Sequence, residues 1–219
     1  KGEEAYDAGG VSRQFFTVVT STLFSPDYGM FELIDDRFYW FRSSGDNTDL
    51  LRYFKLLGAF IGIAINNKVI LPIRFPLIMY KKLLNYKNSI FDISDFAEID
   101  PAVAQSLTSL LESKEKGENV EDSGLMFDFS FEYFDTIQTK ELIENGSNIP
   151  VTNDNVDEYV QEVINWKLNK SIEKQFLAFK EGFDMNCDTP IMKIFAPIEL
   201  EELVSGLKQL DWEAFKKNV

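Results

Sequence analysis

The chain has 219 residues, of which 45% are hydrophobic and 14% aromatic, so it has ample material for a packed core and does not read as a disordered protein. It contains no histidine and a single cysteine, which excludes an internal disulfide, a Ser-His-Asp or Cys-His catalytic arrangement and a tetrahedral zinc site. The formal net charge of −14 argues against nucleic-acid binding, and it fits either solubility alone or electrostatic attraction of basic protein partners.

The first part of the chain predicts one helix. Apolar residues recur at helical spacing over residues 11–24, with Phe15 and Val18 on the apolar face, and the helix is expected to stop before Pro26. The Gly9-Gly10 pair in front of it is typical of a tight turn; a helix start that cradles an anion is the less frequent alternative.

A β-hairpin and two helices are predicted next. Two apolar runs flank Asp35-Asp36 within residues 30–41, a pattern typical of two strands joined by a tight turn. Asp49 is expected to cap a helix over 50–66, which is apolar on nearly every side and is therefore predicted at the centre of the core. A further helix is expected over 77–86.

The middle of the chain holds the clearest helix start. Asp100 followed by Pro101 combines an N-cap residue with proline at the first helical position. An apolar stripe then follows at positions i, i+4, i+7 and i+8: Val103, Leu107, Leu110 and Leu111. An exposed loop is expected over 112–124, which is charged and contains glycine. Apolar and polar residues alternate over 125–133, which predicts a strand, and Asn145-Gly146 marks a turn.

The last part of the chain is predicted to be helical. A long helix is expected over 155–180, with Thr152 or Asp154 as its cap and Gly182 at its end. Another helix is predicted to begin at Pro197, with glutamates near its positive end.

These elements together indicate the fold class. Gly206 is expected to end the last helix, and Asp211 to cap one more short turn. The class is α+β: mostly helical, with small antiparallel sheets. The chain opens without a signal-peptide pattern, and its longest apolar run, 56–65, is too short to span a bilayer, so an intracellular protein, cytoplasmic or nuclear, is expected.

Cys187, the single cysteine, allows two interpretations: a catalytic nucleophile or an unreactive thiol. A reactive thiolate needs a nearby cation or a helix N-terminus. Here Asp184 and Asp188 lie close in sequence and a helix C-terminus precedes the thiol, all of which disfavour the thiolate. Cys187 is therefore predicted to be non-catalytic, in a loop after the long helix.

Five sequence strings resemble signatures of HECT-type ubiquitin ligases, and they follow the family's order over nearly the whole chain. They are D-A-G-G-V-S-R-Q-F-F (7–16), D-P with Q-S-L (100–107), V-T-N-D-N-V-D-E-Y-V (151–160), N-K-S-I-E-K-Q-F-L-A-F-K-E-G-F (169–183) and P-I-E-L-E-E-L-V-S-G (197–206). The resemblance is to the N-terminal lobe of the HECT domain alone. It implies an N-lobe over 1–219, with a large subdomain at approximately 1–98 and 165–219 and a small one at 99–164.

The resemblance implies a role in ubiquitin transfer. In this family the N-lobe binds the ubiquitin-conjugating enzyme, and a cysteine on the C-lobe accepts ubiquitin before it passes to a substrate lysine. That cysteine is expected beyond Val219, so the parent protein is expected to be a ubiquitin-protein transferase and this chain alone inactive. The expected partners are the conjugating enzyme, ubiquitin, and substrates bound by regions outside this chain, without cofactor, metal, nucleic acid or membrane. The alternative is a helical interaction scaffold unrelated to ubiquitin.

The resemblance also implies a groove for the conjugating enzyme in the small subdomain. Carried over position by position, the groove consists of Val103, Leu107, Leu110, Leu125, Tyr159 and Val163. Without the resemblance, an apolar stripe with a nearby tyrosine is more often part of the core. Leu111, on the same helical face, fits either interpretation.

Overall fold

The computed structural model describes residues 10–42, 48–133 and 136–206, within which the chain forms eight α-helices and four β-strands. The helices are α1 (Gly10–Leu23), α2 (Leu51–Asn66), α3 (Leu77–Leu83), α4 (Ile93–Ala97), α5 (Pro101–Glu115), α6 (Val156–Leu168), α7 (Glu173–Cys187) and α8 (Pro197–Ser205). The strands are β1 (Phe31–Ile34), β2 (Phe38–Phe41), β3 (Asp128–Tyr133) and β4 (Thr136–Glu141), paired as two antiparallel ribbons. The predicted α+β class is confirmed.

The chain divides into two compact units. The first unit contains residues 1–42, 47–88 and 174–219, and the second contains 43–46 and 89–173. The functional division that the resemblance implies has its boundaries about ten residues away, and that division stays a prediction. Both units include some residues outside the described ranges.

The predicted hairpin is confirmed in the first unit. Strands β1 and β2 pair in register from Phe31 opposite Phe41 to Ile34 opposite Phe38. Asp35 and Asp36 form the turn, with φ values of 49° and 51°. The connection has three residues, and it is closed by the Arg37 N–H, which donates to the Ile34 carbonyl at 2.9 Å. The two successive left-handed residues match the right-handed twist of the strands.

Helix α1 is where it was predicted, but the face that it buries differs. Phe15 and Val18 are exposed, whereas Phe16 and Thr20 are buried. The ring centroid of Phe16 lies 5.1 Å from that of Phe60 in α2. Thr20 tolerates burial because its hydroxyl donates a hydrogen bond to the Phe16 carbonyl at 2.7 Å. The sequence carries apolar residues on two adjacent faces, so spacing alone selected the wrong one.

Helices α2 and α7 touch through their backbones. A Cβ placed on Gly182 would lie 1.8 Å from the Lys55 carbonyl oxygen, and one on Gly58 would lie 1.9 Å from the Phe179 carbonyl oxygen. Only glycine therefore permits this approach. Gly182 was predicted to end a helix, and this is wrong: α7 continues through it to Cys187, and the glycine serves packing.

Two details of the helices before residue 90 also differ from prediction. The α2 helix begins at Leu51, and Asp49 lies in a 3₁₀ turn (Thr48–Leu50) before it. The cap position, Leu50, makes no side-chain cap hydrogen bond. The α2 helix is not buried on all sides, because Leu56 and Ile63 are exposed. The helix expected over 77–86 ends at Leu83 as α3.

The single helix predicted over 155–180 is two helices. Asn169 adopts φ −127° and ψ −70°, and a 3₁₀ turn (Lys170–Ile172) separates α6 from α7. The cap position of α6 is Asn155, not Thr152 or Asp154. The Asn155 side-chain oxygen instead accepts a hydrogen bond from the Thr152 N–H at 2.7 Å. Continuous helical periodicity hid the break, because no proline or glycine marks it in the sequence.

The last helix is confirmed as α8. The Glu199 carboxylate accepts a hydrogen bond from the Ala196 N–H at 2.7 Å, and Gly206 follows the helix with φ 79°. The turn predicted at Asp211 lies outside the described residues. None of the described helices is long and apolar enough to cross a membrane.

The glycine contact predicts a large effect of one methyl group. Gly182→Ala should destabilise the first unit by about 3 kcal/mol, because the new Cβ collides with backbone that cannot move aside cheaply. Urea denaturation monitored by circular dichroism measures this loss.

Gly10→Ala is the matched control. Gly10 begins α1, and a Cβ there meets nothing within 4 Å, so this variant should be neutral or slightly more stable. Equal stability of the Gly182→Ala variant and the wild type would contradict the close α2–α7 contact.

Candidate functional site

The second unit carries the predicted groove residues, and helix α5 positions three of them. The Asp100 side chain accepts a hydrogen bond from the Val103 N–H at 3.1 Å, and Pro101 opens the helix, as predicted. The loop expected over 112–124 is only partly present. Helix α5 extends to Glu115. Val120 is buried, and its N–H donates to the Asn153 side-chain oxygen at 2.8 Å.

The alternating strand predicted over 125–133 begins three residues later, as β3. Before it, Phe127 is buried and fixed by its backbone, since its N–H donates to the carbonyls of Gly146 and Ile149 at 3.1 and 3.0 Å. The predicted turn at Asn145-Gly146 is confirmed: Asn145 has φ 58°, and a Cβ on Gly146 would lie 2.2 Å from the Phe127 carbonyl oxygen. The turn therefore locks the segment that leads into β3.

Two elements of this unit were not predicted. Strand β4 carries only exposed residues, T-I-Q-T-K-E, so it lacks the apolar alternation that identifies a half-buried strand. Helix α4 has only five residues, but it had a readable signal. Asp92 and Asp95 form a reciprocal capping box, and their spacing before the buried Phe96 is a helix-start pattern.

The predicted groove residues differ in exposure. Leu107 and Tyr159 are 5% exposed and Val163 is 0% exposed, so these three belong to the core of the unit. Val103 and Leu110 are half-buried, as is Leu111. Leu125 is 39% exposed. A partner could touch Leu125 and the half-buried residues directly, whereas the buried ones can only support that surface.

Tyr159 connects the buried residues to the exposed ones. Its ring packs edge-on against Phe127, with centroids 5.5 Å apart, and Phe127 follows Leu125 by two residues. The Tyr159 hydroxyl donates to the Asp128 carbonyl at 3.5 Å. Burial raises the pKa of Tyr159, and the nearby Asp128 raises it further, so the phenol stays neutral at physiological pH.

Met126 is an apolar residue next to Leu125 that the predicted groove does not include. It is 37% exposed beside Leu125, and it forms an isolated antiparallel bridge with Pro150. The alternating pattern over 125–133 takes its apolar residues at every second position from Leu125, so it did not single out Met126. Leu125 is held on the same short ladder, because its carbonyl accepts a hydrogen bond from the Val151 N–H at 2.9 Å. We call the six predicted groove residues together with Met126 the Tyr159 surface: Leu125 and Met126 are exposed, Val103 and Leu110 are half-buried, and Leu107, Tyr159 and Val163 are buried.

The neighbouring elements are tied to this surface by side chains. An ion pair between Lys114 and Asp157 links the end of α5 to the start of α6. Trp166 of α6 supports β3, with its ring centroid 5.5 Å from Phe129 and 4.7 Å from Phe131. These contacts fix the helix pair and the ribbon on which the Tyr159 surface lies.

Cys187 lies in the first unit. It was predicted in a loop, and this is wrong, because Cys187 is the last residue of α7. It is 2% exposed. Burial, and then the charge of Asp184, raises the pKa of Cys187 to about 11. The group is therefore a thiol at neutral pH. Among the described residues, no group of three or more cysteine or acidic side chains is arranged to hold a metal ion.

Comparison with known proteins identifies the family. Residues 17–219 match the family model described as HECT-domain (ubiquitin-transferase). The chain is 37% identical over 220 residues to the mouse "Probable E3 ubiquitin-protein ligase HERC4", covering 99% of this chain and 20% of that protein. It is 36% identical over 229 residues to the mouse "Probable E3 ubiquitin-protein ligase HECTD2" (99% and 29%) and 34% identical over 220 residues to the "E3 ubiquitin-protein ligase RSP5" of Chaetomium thermophilum (99% and 26%).

The chain thus spans between 20% and 29% of the length of these relatives. The family match and the three alignments extend over nearly all of its residues, and they agree with the five signature strings in the sequence. The chain belongs to the HECT-domain (ubiquitin-transferase) family, within which it corresponds to the N-terminal lobe.

Proposed function

We propose that this chain is the docking lobe of a ubiquitin ligase, and that its Tyr159 surface binds the ubiquitin-charged conjugating enzyme. Ubiquitin would then pass to a cysteine on the C-lobe, outside this chain, and from there to a substrate lysine. The observation that carries the proposal is the exposure of Leu125 and Met126 directly before Phe127, the residue on which Tyr159 packs.

The distribution of exposure supports a shallow contact rather than a deep pocket. Leu125 and Met126 offer apolar area to a partner, while Tyr159 and Val163 are covered and give that area a rigid base. Apolar anchors on a packed base, surrounded by polar groups, are typical of binding hot spots. Val163 would act only by supporting this base, since it has no exposed side-chain surface.

The remaining partners follow from the same proposal. Ubiquitin would arrive on the conjugating enzyme, and substrates would be bound by regions outside this chain; no cofactor is required. We place the activity inside the cell, in the cytoplasm or nucleus, where ubiquitin conjugation takes place. The alternative, a helical scaffold unrelated to ubiquitin, does not account for a family match over residues 17–219.

Leu125→Ala tests the docking surface. The variant should weaken binding of a conjugating enzyme about tenfold, because it removes an exposed apolar anchor. Isothermal calorimetry with an isolated conjugating enzyme measures the change. Tyr159→Ala is a poorer test, since truncating a buried ring costs about 3–5 kcal/mol of stability and a loss of binding would report unfolding.

Ile137→Ala is the matched control. Ile137 is 82% exposed on β4 in the same unit, outside the Tyr159 surface, so its truncation should leave the affinity unchanged. Both variants should unfold at the wild-type temperature. If the Leu125→Ala variant and the wild type have equal affinities for every conjugating enzyme that binds, the assignment of the Tyr159 surface as the docking site is wrong.

A second prediction concerns Cys187. At a pKa of about 11, only about one thiol in ten thousand is ionised at pH 7, and the group is buried. Incubation with a ubiquitin-charged conjugating enzyme should therefore give no reducible ubiquitin adduct on this chain. Non-reducing gel electrophoresis, with Cys187→Ser as the control, would detect one; an adduct present in the wild type and absent in the control would refute the docking-only role.

A further inference from the structure

The first unit has an open cleft of about 570 Å³ at the turn end of its hairpin. The hairpin and the extended segment 70–74 after α2 line most of it, and the last residue of α8 lines it as well. We call it the Arg37 cleft; its lining includes Leu33, Asp36, Arg37, Ile70, Arg74 and Ser205. The proposed docking function uses none of these residues.

The pattern of exposure leaves both arginines of the cleft on the outside of the unit. Arg37 is exposed just before strand β2. In the segment after α2, Ile73 and Phe75 are buried, whereas Arg74 between them is exposed, an alternation typical of an extended chain. The Tyr39 N–H donates to the Arg74 carbonyl at 2.9 Å, so this segment lies directly beside β2. Two guanidinium groups from neighbouring extended segments thus belong to one cleft.

The charges of these two arginines are not neutralised by nearby carboxylates. Within the described part of the chain, neither Arg37 nor Arg74 forms an ion pair, although the sequence has 36 acidic against 22 basic residues. Three lysines of the same unit do form such pairs: Lys55, Lys180 and Lys193. In a chain with this excess of carboxylates, two cations without an acidic partner at one cleft are available to a ligand.

The guanidinium of Arg37 is also restrained in position. Its central carbon lies 4.1 Å from the centroid of the Phe38 ring. Stacking on a ring face uses the π-surface of the guanidinium and leaves its N–H donors at the edge. The group is therefore partly ordered before a ligand arrives, which lowers the entropy cost of binding.

A phosphate group fits this pair of arginines. Each guanidinium presents its N–H donors as a planar fork, which matches the oxygens of a phosphate, and a phosphorylated side chain carries a charge of about −2 at neutral pH. The Ser205 hydroxyl, 3.2 Å from the Tyr80 hydroxyl, adds a polar group to the same cleft. Asp36 offsets one of the two positive charges, so binding depends on the two forks rather than on net charge alone.

Apolar side chains at the cleft indicate that the phosphate is carried by a protein segment. Leu33 is 48% exposed and Ile70 is 62% exposed, and both line the cleft with the arginines. A free phosphate ion would not use these side chains. A phosphorylated residue with apolar neighbours in its sequence would contact the arginines and cover Leu33 and Ile70 together.

We infer that the Arg37 cleft binds a phosphorylated serine or threonine of a protein segment whose neighbouring residues are apolar. The site belongs to the first unit and goes beyond the docking function proposed for the second. It would allow phosphorylation of a protein segment to decide whether that segment is held on this chain.

Fluorescence anisotropy with short labelled peptides tests the inference. The probe carries a phosphoserine between two leucines, and its matched controls carry serine or glutamate in the same place. The chain should bind the phosphoserine peptide about tenfold or more tightly than either control, because only a phosphate has oxygens and charge for both forks. Equal binding of the glutamate peptide would overturn the phosphate assignment, and absence of binding by all three peptides would overturn the site.

Substitutions of the two arginines test the position of the peptide. Arg37→Gln and Arg74→Gln should each weaken binding of the phosphoserine peptide about fivefold to tenfold, since each removes one charged fork. Arg74→Lys should also weaken it, by about threefold or more, because lysine keeps the charge but lacks the fork. Wild-type affinity of both glutamine variants would overturn the site, and wild-type affinity of Arg74→Lys would overturn bidentate recognition.

Arg52→Gln is the control with the same change of charge. Arg52 is exposed on α2 in the same unit and does not line the Arg37 cleft. This variant should bind the phosphoserine peptide like the wild type, and all of these variants should unfold at the wild-type temperature because the three arginines are exposed. Equal weakening by Arg52→Gln would show that the peptide responds to overall charge and would overturn the site.

The result is independent of the docking function. Leu125→Ala, in the second unit, should leave binding of the phosphoserine peptide unchanged. Loss of peptide binding in that variant would place the peptide on the Tyr159 surface and overturn the inference, whereas failure of the arginine tests leaves the docking function in place.

Discussion

The contact between α2 and α7 is the constraint on which the first unit depends. The Lys55 carbonyl and the Gly182 backbone meet at a distance that admits no side chain, and Gly58 meets the Phe179 carbonyl in the same way. Because α7 follows the second unit in the chain, this contact joins segments that are separated by more than a hundred residues. Close backbone approach of this kind leaves no room for adjustment, and it fixes the register of the two helices.

The second unit uses the same principle on a smaller scale. Gly146 lets the turn approach the Phe127 carbonyl, and Phe127 then supports the ring of Tyr159. Exposed apolar residues next to such a base keep a defined position without being buried themselves.

Local signals in the sequence were most reliable where a few neighbouring residues decide the conformation. The Asp35-Asp36 turn, the Asp100-Pro101 helix start and helix α8 (Pro197–Ser205) depend on residues within one turn of the backbone, and all three are confirmed. Signals failed where they were weak or absent. The break at Asn169 carries no proline or glycine, and the exposed strand β4 has no apolar period.

By itself, the sequence determined the α+β class, most helix positions and the family, because these depend on periodicity and on ordered strings of residues. Only the tertiary structure decided which side of each apolar segment is covered. In the folded chain Phe16 is buried and Phe15 is exposed, and Leu125 is exposed whereas Val163 is buried. Gly182, predicted at a helix end, is instead a packing contact within α7. Burial depends on which elements distant in the sequence pack against a given side chain, and the spacing of apolar residues along one helix contains no information about those elements.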